Sequence, residues 1–244
     1  PMPREQQEIL DALHAEITAF WLTSRSRTSN PSVTDEVRTG LYFVDSVFWQ
    51  TLPRLYADLD RALDIHYPGL HIEHPWLRLA SWMGGDRDGN PNVTREVTAE
   101  TLRLHRGLAV ENHRQSIQNI ARRLSMSRRR LVPPSTLEDW FEKRRPLPPH
   151  VAFLEERYSG EPFRLVLSLL AADLAEASQD DMKSRLLSQH PHSARIKTAN
   201  LVQPIKIIAE SIPPALARDE LLTIQRQLDI FGLHALRLDI REDS

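Results

Sequence analysis

Trp76-Leu-Arg-Leu-Ala-Ser-Trp-Met83 runs directly into Gly84-Gly85-Asp86-Arg87-Asp88-Gly89-Asn90-Pro91-Asn92-Val93-Thr94. The first eight residues read as a short buried strand that stops on a glycine pair. Asp86–Pro91 reads as a loop, and Asn92 or Thr94 opens a helix. Three of the chain's eight Gly fall within residues 84–94, where Gly lets the backbone turn tightly and approach a ligand. A second stretch has the same character. Leu233-His-Ala-Leu-Arg-Leu-Asp-Ile240 alternates, follows Gly232 and ends in Arg241-Glu242-Asp243-Ser244, so it too reads as a strand with a charged tip. In parallel α/β barrels the C-terminal ends of strands build the active site. Two strands cannot close a barrel, so the chain reads as part of something larger.

Between and around these strands the pattern is helical. Ile9, Leu13, Ile17 and Phe20 or Trp21 recur at helical spacing over residues 3–22. A polar break, Thr23–Pro31, follows. Ser32 or Thr34 then caps a long amphipathic helix through about residue 66, with a bend expected near Pro53. His66–Pro75 is a loop. Residues 95–127 are helical, and Pro133-Pro134 and Arg145–Pro149 interrupt the chain. Ser135-Thr136-Leu-Glu-Asp139 reads as another capped start. Helices are expected over about 151–158, 163–188, 195–212 and 216–231. No internal boundary stands out, so residues 1–244 are taken as a single partial domain.

Composition narrows the function classes. The 244 residues carry 31 Lys and Arg against 33 Asp and Glu, a net charge of −2, which argues against nucleic-acid binding as the main task. Hydrophobic residues at 41% and charged ones at 26% are the mix of a folded soluble chain. Zero Cys excludes disulfides, Cys-ligated zinc, iron–sulfur clusters and a thiol nucleophile within this chain. No apolar run approaches the roughly 20 residues that span a bilayer. No signal segment opens the chain. A cytoplasmic protein with no nucleic-acid or membrane partner is expected.

Four clusters could carry chemistry. In the first, Asp86 and Asp88 flank Arg87, which can make a two-pronged contact with phosphate or carboxylate while its neighbours orient it. The same residues also suit a tight turn braced by Asx side chains before a helix. A calcium loop counted from Asp86 fails, because it needs Gly sixth and Glu twelfth, where Pro91 and Val97 stand. In the second, alternation puts Arg237, Asp239 and Arg241 on one side of a strand, where a salt-bridge network and an active site are equally good readings. The third, Arg122-Arg123 with Arg128-Arg129-Arg130, could touch phosphates, but it lacks interleaved aromatics and reads better as a solvated helix end. The fourth, His66, His71 and His74 with Glu73, is a weak metal-site pattern, and His190-Pro-His192 is weaker. No phosphate-binding loop, dinucleotide fingerprint or G-x-S-x-G elbow is present.

At the first cluster the sequence becomes recognisable. Ser81-Trp-Met-Gly-Gly-Asp-Arg-Asp-Gly-Asn-Pro-Asn-Val-Thr94 resembles the S-W-[MI]-G-G-D-R-D-G-N-P-x-V-T signature of phosphoenolpyruvate carboxylases. Thr34-Asp-Glu-Val-Arg-Thr-Gly40, then Phe48-Trp49 and Leu52-Pro53, and finally Phe231-Gly-Leu-His-Ala-Leu-Arg-Leu-Asp-Ile-Arg-Glu-Asp-Ser244 agree in collinear order. The resemblance runs along the whole chain but covers only part of the family's length. It implies a fold class that is mainly α, a helical region with a few short strands belonging to an incomplete TIM-like (β/α)8 barrel.

The resemblance also implies a reaction: phosphoenolpyruvate and bicarbonate give oxaloacetate and phosphate, with Mg2+ or Mn2+ as cofactor and a homotetramer as assembly. Arg241 would bind phosphate. Arg87, with Asp86 and Asp88, would line the same barrel mouth, and Asp239 would orient Arg241. The family's H-P-T segment with its catalytic His is expected before Pro1. The metal ligands, a Gly-rich mobile loop and further Arg are expected after Ser244. The fragment alone is therefore expected to be inactive, and the competing reading is a non-catalytic helical scaffold or interaction module on the same fold. Two departures stand out. The family's D-I-R-Q-E-S reads Asp-Ile-Arg-Glu-Asp-Ser here, adding a carboxylate at Glu242. Its acidic T-D-E-I-R-R segment is replaced by Thr23–Pro31, keeping only Arg27 of the Arg pair, which argues against an activator site there.

Overall fold

The computed structural model describes residues 3–23, 30–70, 72, 75–178, 182–188, 196–216 and 218–242. It divides into two units, residues 1–32 and 33–244. In the first, helix α1 (Pro3–Leu22) forms where the 3.6-residue periodicity placed it. Its apolar residues Ile9, Leu13, Ile17, Phe20 and Trp21 are exposed.

In the second unit, α2 (Val33–Phe43), one π-helical turn (Val44–Phe48) and α3 (Trp49–His66) form the long helical run expected to reach residue 66. The irregularity falls at the π turn, just ahead of Pro53. There the Trp49 N–H bonds back to the Val44 carbonyl. Pro53 lies inside α3 and has no N–H for the Trp49 carbonyl four residues earlier. The buried Gln227 supplies a donor instead, its Nε2 lying 3.0 Å from that oxygen.

Helix α4 (Arg95–Arg123) starts where Thr94 Oγ1 accepts from Val97 N. It stops four residues short of the expected 127. Next come α5 (Ser135–Glu142), α6 (Pro149–Arg157), α7 (Pro162–Ser178), α8 (Met182–Leu187), α9 (Thr198–Ser211) and α10 (Arg218–Phe231). The expected side-chain cap at Ser135 is not used. Pro134 takes the cap position with φ −67° and ψ 151°, and its ring presets the turn into the helix. The main core joins α4 and α7 to α9 and α10 through Ile117, Phe163, Leu167, Leu170, Ile205 and Leu221. A second cluster packs Val37, Leu41, Trp49 and Tyr56 against Ala109 and Phe231. Burial of this order is the main favourable term in the fold.

The strands are far shorter than the alternation suggests: β1 is Ala80–Ser81 and β2 is Arg237–Leu238, paired in parallel. Ahead of β1, Trp76 and Leu77 are tied to a helix rather than to the sheet. Leu77 N donates to Tyr56 Oη at 2.9 Å, and Trp76 stacks on Tyr56. Leu233–Leu236 is spent on a turn with positive φ at Gly232 and Ala235.

The α4–α10 junction buries two imidazoles, His105 and His113. His113 Nε2 lies 2.8 Å from the Gly232 carbonyl, and its ring stands edge-on to Trp49. Burial pushes both histidines down to about 4. Their neutral form is the folded one, so the unfolded chain binds more protons between pH 4 and 6.5. Stability from each is complete above pH 6.5 and is lost as pH falls toward 4, by up to about 3 kcal/mol apiece. Asp173 and Asp229, pushed up by burial, act in the opposite sense. The comparison that isolates His113 is therefore with His113→Gln, whose amide keeps a donor for Gly232. Urea unfolding from pH 7 to 4 should show a shallower loss in the variant; identical slopes would rule the assignment out.

Candidate functional site

Backbone hydrogen bonds carry the strand pair past its last paired residues. Arg237 N bonds Leu79 O at 3.0 Å, Asp239 N bonds Ser81 O at 2.9 Å and Arg241 N bonds Gly85 O at 3.0 Å. Arg87 N returns to Arg241 O at 3.0 Å, closing a parallel bridge between Asp86 and Arg241. One side advances two residues, from 239 to 241, while the other advances four, from 81 to 85. The two extra residues fall within Trp82–Gly84, which loops out in a turn in which Gly85 N and Asp86 N both bond Trp82 O.

The glycine pair makes this possible. A β-carbon on Gly85 would lie 2.2 Å from the Asp239 carbonyl oxygen. Gly84 has φ +81°, and a β-carbon there would fall 2.1 Å from Thr101 Oγ1. Its carbonyl accepts from Thr98 Oγ1 at 2.8 Å. Threonines in the first turns of α4 thus hold the end of β1, a role nothing in the sequence pattern announces. The loop beyond is braced as an Asx turn, with Asp88 N on Asp86 Oδ1 and Asn92 N on Asn90 Oδ1. Gly89 sits at φ +68°.

This backbone gathers Asp86, Arg87, Asp88, Asp239, Arg241 and Glu242 at one pair of strand ends. The Arg241 guanidinium lies 3.9 Å from Asp86 Oδ2 and 3.6 Å from Asp239 Oδ2. Arg87 pairs with Glu242, the residue that departs from the family pattern. Arg87 and Asp86 are about 30% exposed and Arg241 57%, so the cluster faces solvent. Arg87 Nε is buried with no hydrogen-bond partner among the described residues. Among the described residues no three His, Asp or Glu side chains converge so as to hold a metal ion. Asp86 and Asp239 are both turned to Arg241. A metal ion therefore does not fit this corner.

The remaining clusters lie elsewhere. His66 ends α3, while His71, Glu73, His74, His190, His192, Arg27, Asp243 and Ser244 lie outside the described residues. The basic run is dispersed, with Arg123 paired to Glu220 and Arg128 to Glu138.

The family model for phosphoenolpyruvate carboxylase matches residues 2–244. A phosphoenolpyruvate carboxylase of Rhodothermus marinus is 34% identical over 244 residues, covering 99% of this chain. That of Roseiflexus castenholzii is 32% identical over 249 residues, covering 95%. That of Methylorubrum extorquens is 30% identical over 242 residues, covering 99%. In each case 26% of the relative is matched, so the chain spans about a quarter of the length of these relatives.

The three loop glycines should respond differently to alanine. Gly89 has open space around it, so Gly89→Ala costs only left-handed strain, about 1 kcal/mol. Gly85→Ala forces two backbones apart and should cost about 1–3 kcal/mol. Gly84→Ala combines strain and clash and should cost most. Urea unfolding of the three variants checks the order; Gly85→Ala no worse than Gly89→Ala would contradict the close approach.

Proposed function

The chain belongs to the phosphoenolpyruvate carboxylase family, and on that premise we propose that it supplies one corner of the active site of such an enzyme. The reaction is the carboxylation of phosphoenolpyruvate by bicarbonate to oxaloacetate and phosphate. The observation that carries the reading is the parallel bridge between Asp86 and Arg241. It joins two motifs 155 residues apart at the C-terminal ends of paired parallel strands, the face on which α/β barrels build their sites. In this reading β1 and β2 are neighbouring strands of a (β/α)8 barrel completed by the rest of the enzyme.

The chemistry needs cations where negative charge gathers and moves. A bicarbonate oxygen attacks the phosphorus, and the P–O bond to the enol oxygen breaks, leaving carboxyphosphate and the enolate. Carboxyphosphate then releases carbon dioxide, and the enolate carbon captures it. Arg241 is the phosphate-binding side chain, whose fork matches two phosphate oxygens. Asp239 and Asp86 orient it. Arg87 lines the same mouth with Asp88 beside it. Mg2+ or Mn2+, held by residues outside this chain, supplies further positive charge. The working assembly is a cytoplasmic homotetramer, and the chain alone does not turn over.

In the full-length enzyme Arg241→Ala should lower kcat/KM for phosphoenolpyruvate at least about a hundredfold, read as oxaloacetate formed. Activity untouched by the change would remove Arg241 from the site, and a folded parent with no carboxylation would remove the function. Glu242→Gln frees Arg87 from an exposed pair. KM for phosphoenolpyruvate should fall about twofold to fivefold, with the gain shrinking at high salt. An unchanged KM would mean that the pair does not compete with substrate.

A further inference from the structure

Unlike Arg123 and Arg128, Arg122 has no carboxylate partner among the described residues. Together with Arg114 it lines, from α4, a trough of about 420 Å3, a volume typical of small-molecule sites. Helix α7, which packs on both α4 and α6, adds Arg164. Residue Arg157 comes from the end of α6, and Tyr158 follows it. Four arginines therefore line one cavity, and among the described residues no Asp or Glu does.

The four are not equivalent. Arg114 is held by both oxygens of Glu111 at 2.8 and 2.7 Å, and Arg164 bonds Glu161 at 3.0 Å. Arg122 donates only to the Asn119 amide oxygen. Arg157 packs over the Tyr158 ring at 5.5 Å, a ring that Arg164 also covers at 4.4 Å. Neither Arg122 nor Arg157 has a carboxylate partner among the described residues. A guanidinium on an aromatic face keeps its N–H edge free for an oxyanion. Ala171, Ala172 and Ala175, on one face of α7, line the same cavity with Leu154 and Phe153 of α6 and form its apolar floor. The trough thus offers two open forks, a Ser168 hydroxyl and an apolar floor.

We propose that this trough binds a small organic anion with a doubly charged head, phosphate ester or paired carboxylates, on an apolar body. The proposal is independent of the carboxylase reading. The floor selects for the body and the unneutralised arginines for the head.

The test is calorimetric titration of this chain at low salt with phenyl phosphate, isophthalate, inorganic phosphate and benzyl alcohol. Phenyl phosphate or isophthalate should bind once per chain, at least about tenfold tighter than inorganic phosphate, and the tighter of the two identifies the head. Benzyl alcohol should not bind. Arg122→Glu and Arg157→Glu should each weaken binding at least about tenfold. Arg130→Glu, exposed and outside the trough, should leave it within about twofold, as should Arg241→Ala. Circular dichroism checks the fold, with Arg157→Gln substituted if the charge reversal unfolds the chain. No binding by either probe, an equal loss in Arg130→Glu, or a loss confined to Arg241→Ala would each overturn the proposal.

Discussion

A backbone carbonyl stands where a side chain would begin. The Asp239 oxygen is 2.2 Å from the position a β-carbon on residue 85 would take, and the arrangement of the strand ends follows from that approach. With Gly85, the hydrogen bonds from Asp239 N to Ser81 O and from Arg241 N to Gly85 O continue the ladder across the looped-out turn. A strand pair two residues long has little stability of its own. It is held because Gly84 is pressed onto Thr98 and Thr101 of α4 and because Tyr56 of α3 holds Leu77. The helices fix the strands, and the strands fix the charged side chains.

The same dependence runs through the other strand. Phe231, the last residue of α10, stacks on Trp49 with ring centroids 4.4 Å apart. One residue later the Gly232 carbonyl meets His113 of α4. From there Ala235 at φ +57° turns the chain into β2. Trp49 is itself seated where Pro53 has left its carbonyl free and Gln227 has taken it. A proline in α3, a glutamine in α10 and a histidine in α4 together aim the segment that delivers Arg241. In sequence only Pro53 stands out, as an expected bend; Gln227 and His113 look like ordinary helix interior, yet each meets a backbone carbonyl at this junction.

The helices were readable because their apolar residues recur at helical spacing, as Ile9, Leu13 and Ile17 do, and because Thr94 caps its own helix. Their ends were less readable. Pro134 does with ring geometry what Ser135 was expected to do with a hydroxyl. Alternation overextends the strands because Leu77, Leu79 and Leu236 pack against the helical cluster and Leu233–Leu236 is a turn. Alternation cannot tell those environments from a sheet. At the site, the glycine pair and the flanking charges could be picked out from local sequence. The partners could not, since Arg87 meets Glu242 across 155 residues. The arginine trough was hidden for the same reason, because Arg122 and Arg157 share a cavity only through α7.

The charge balance at the strand ends limits what this corner can do. Asp86, Asp88, Asp239 and Glu242 surround only two guanidiniums, Arg87 and Arg241. Carboxylates 3.6 and 3.9 Å from Arg241 hold its plane but also offset its attraction for an anion. Such a set orients a cation more effectively than it concentrates negative charge. In the proposed reading an incoming phosphate would gain from Arg241 mainly through the direction of its donors, and strong affinity would call for further cations brought by other segments. The trough at α4, α6 and α7 differs: Glu111 and Glu161 hold two of its four arginines, while Arg122 and Arg157 have no carboxylate partner among the described residues. On the two proposals, the strand ends serve geometry and the helical trough attraction. The proposed division of labour in the enzyme follows from that contrast, with the catalytic corner drawing its net positive charge from the remaining three quarters of the family's length.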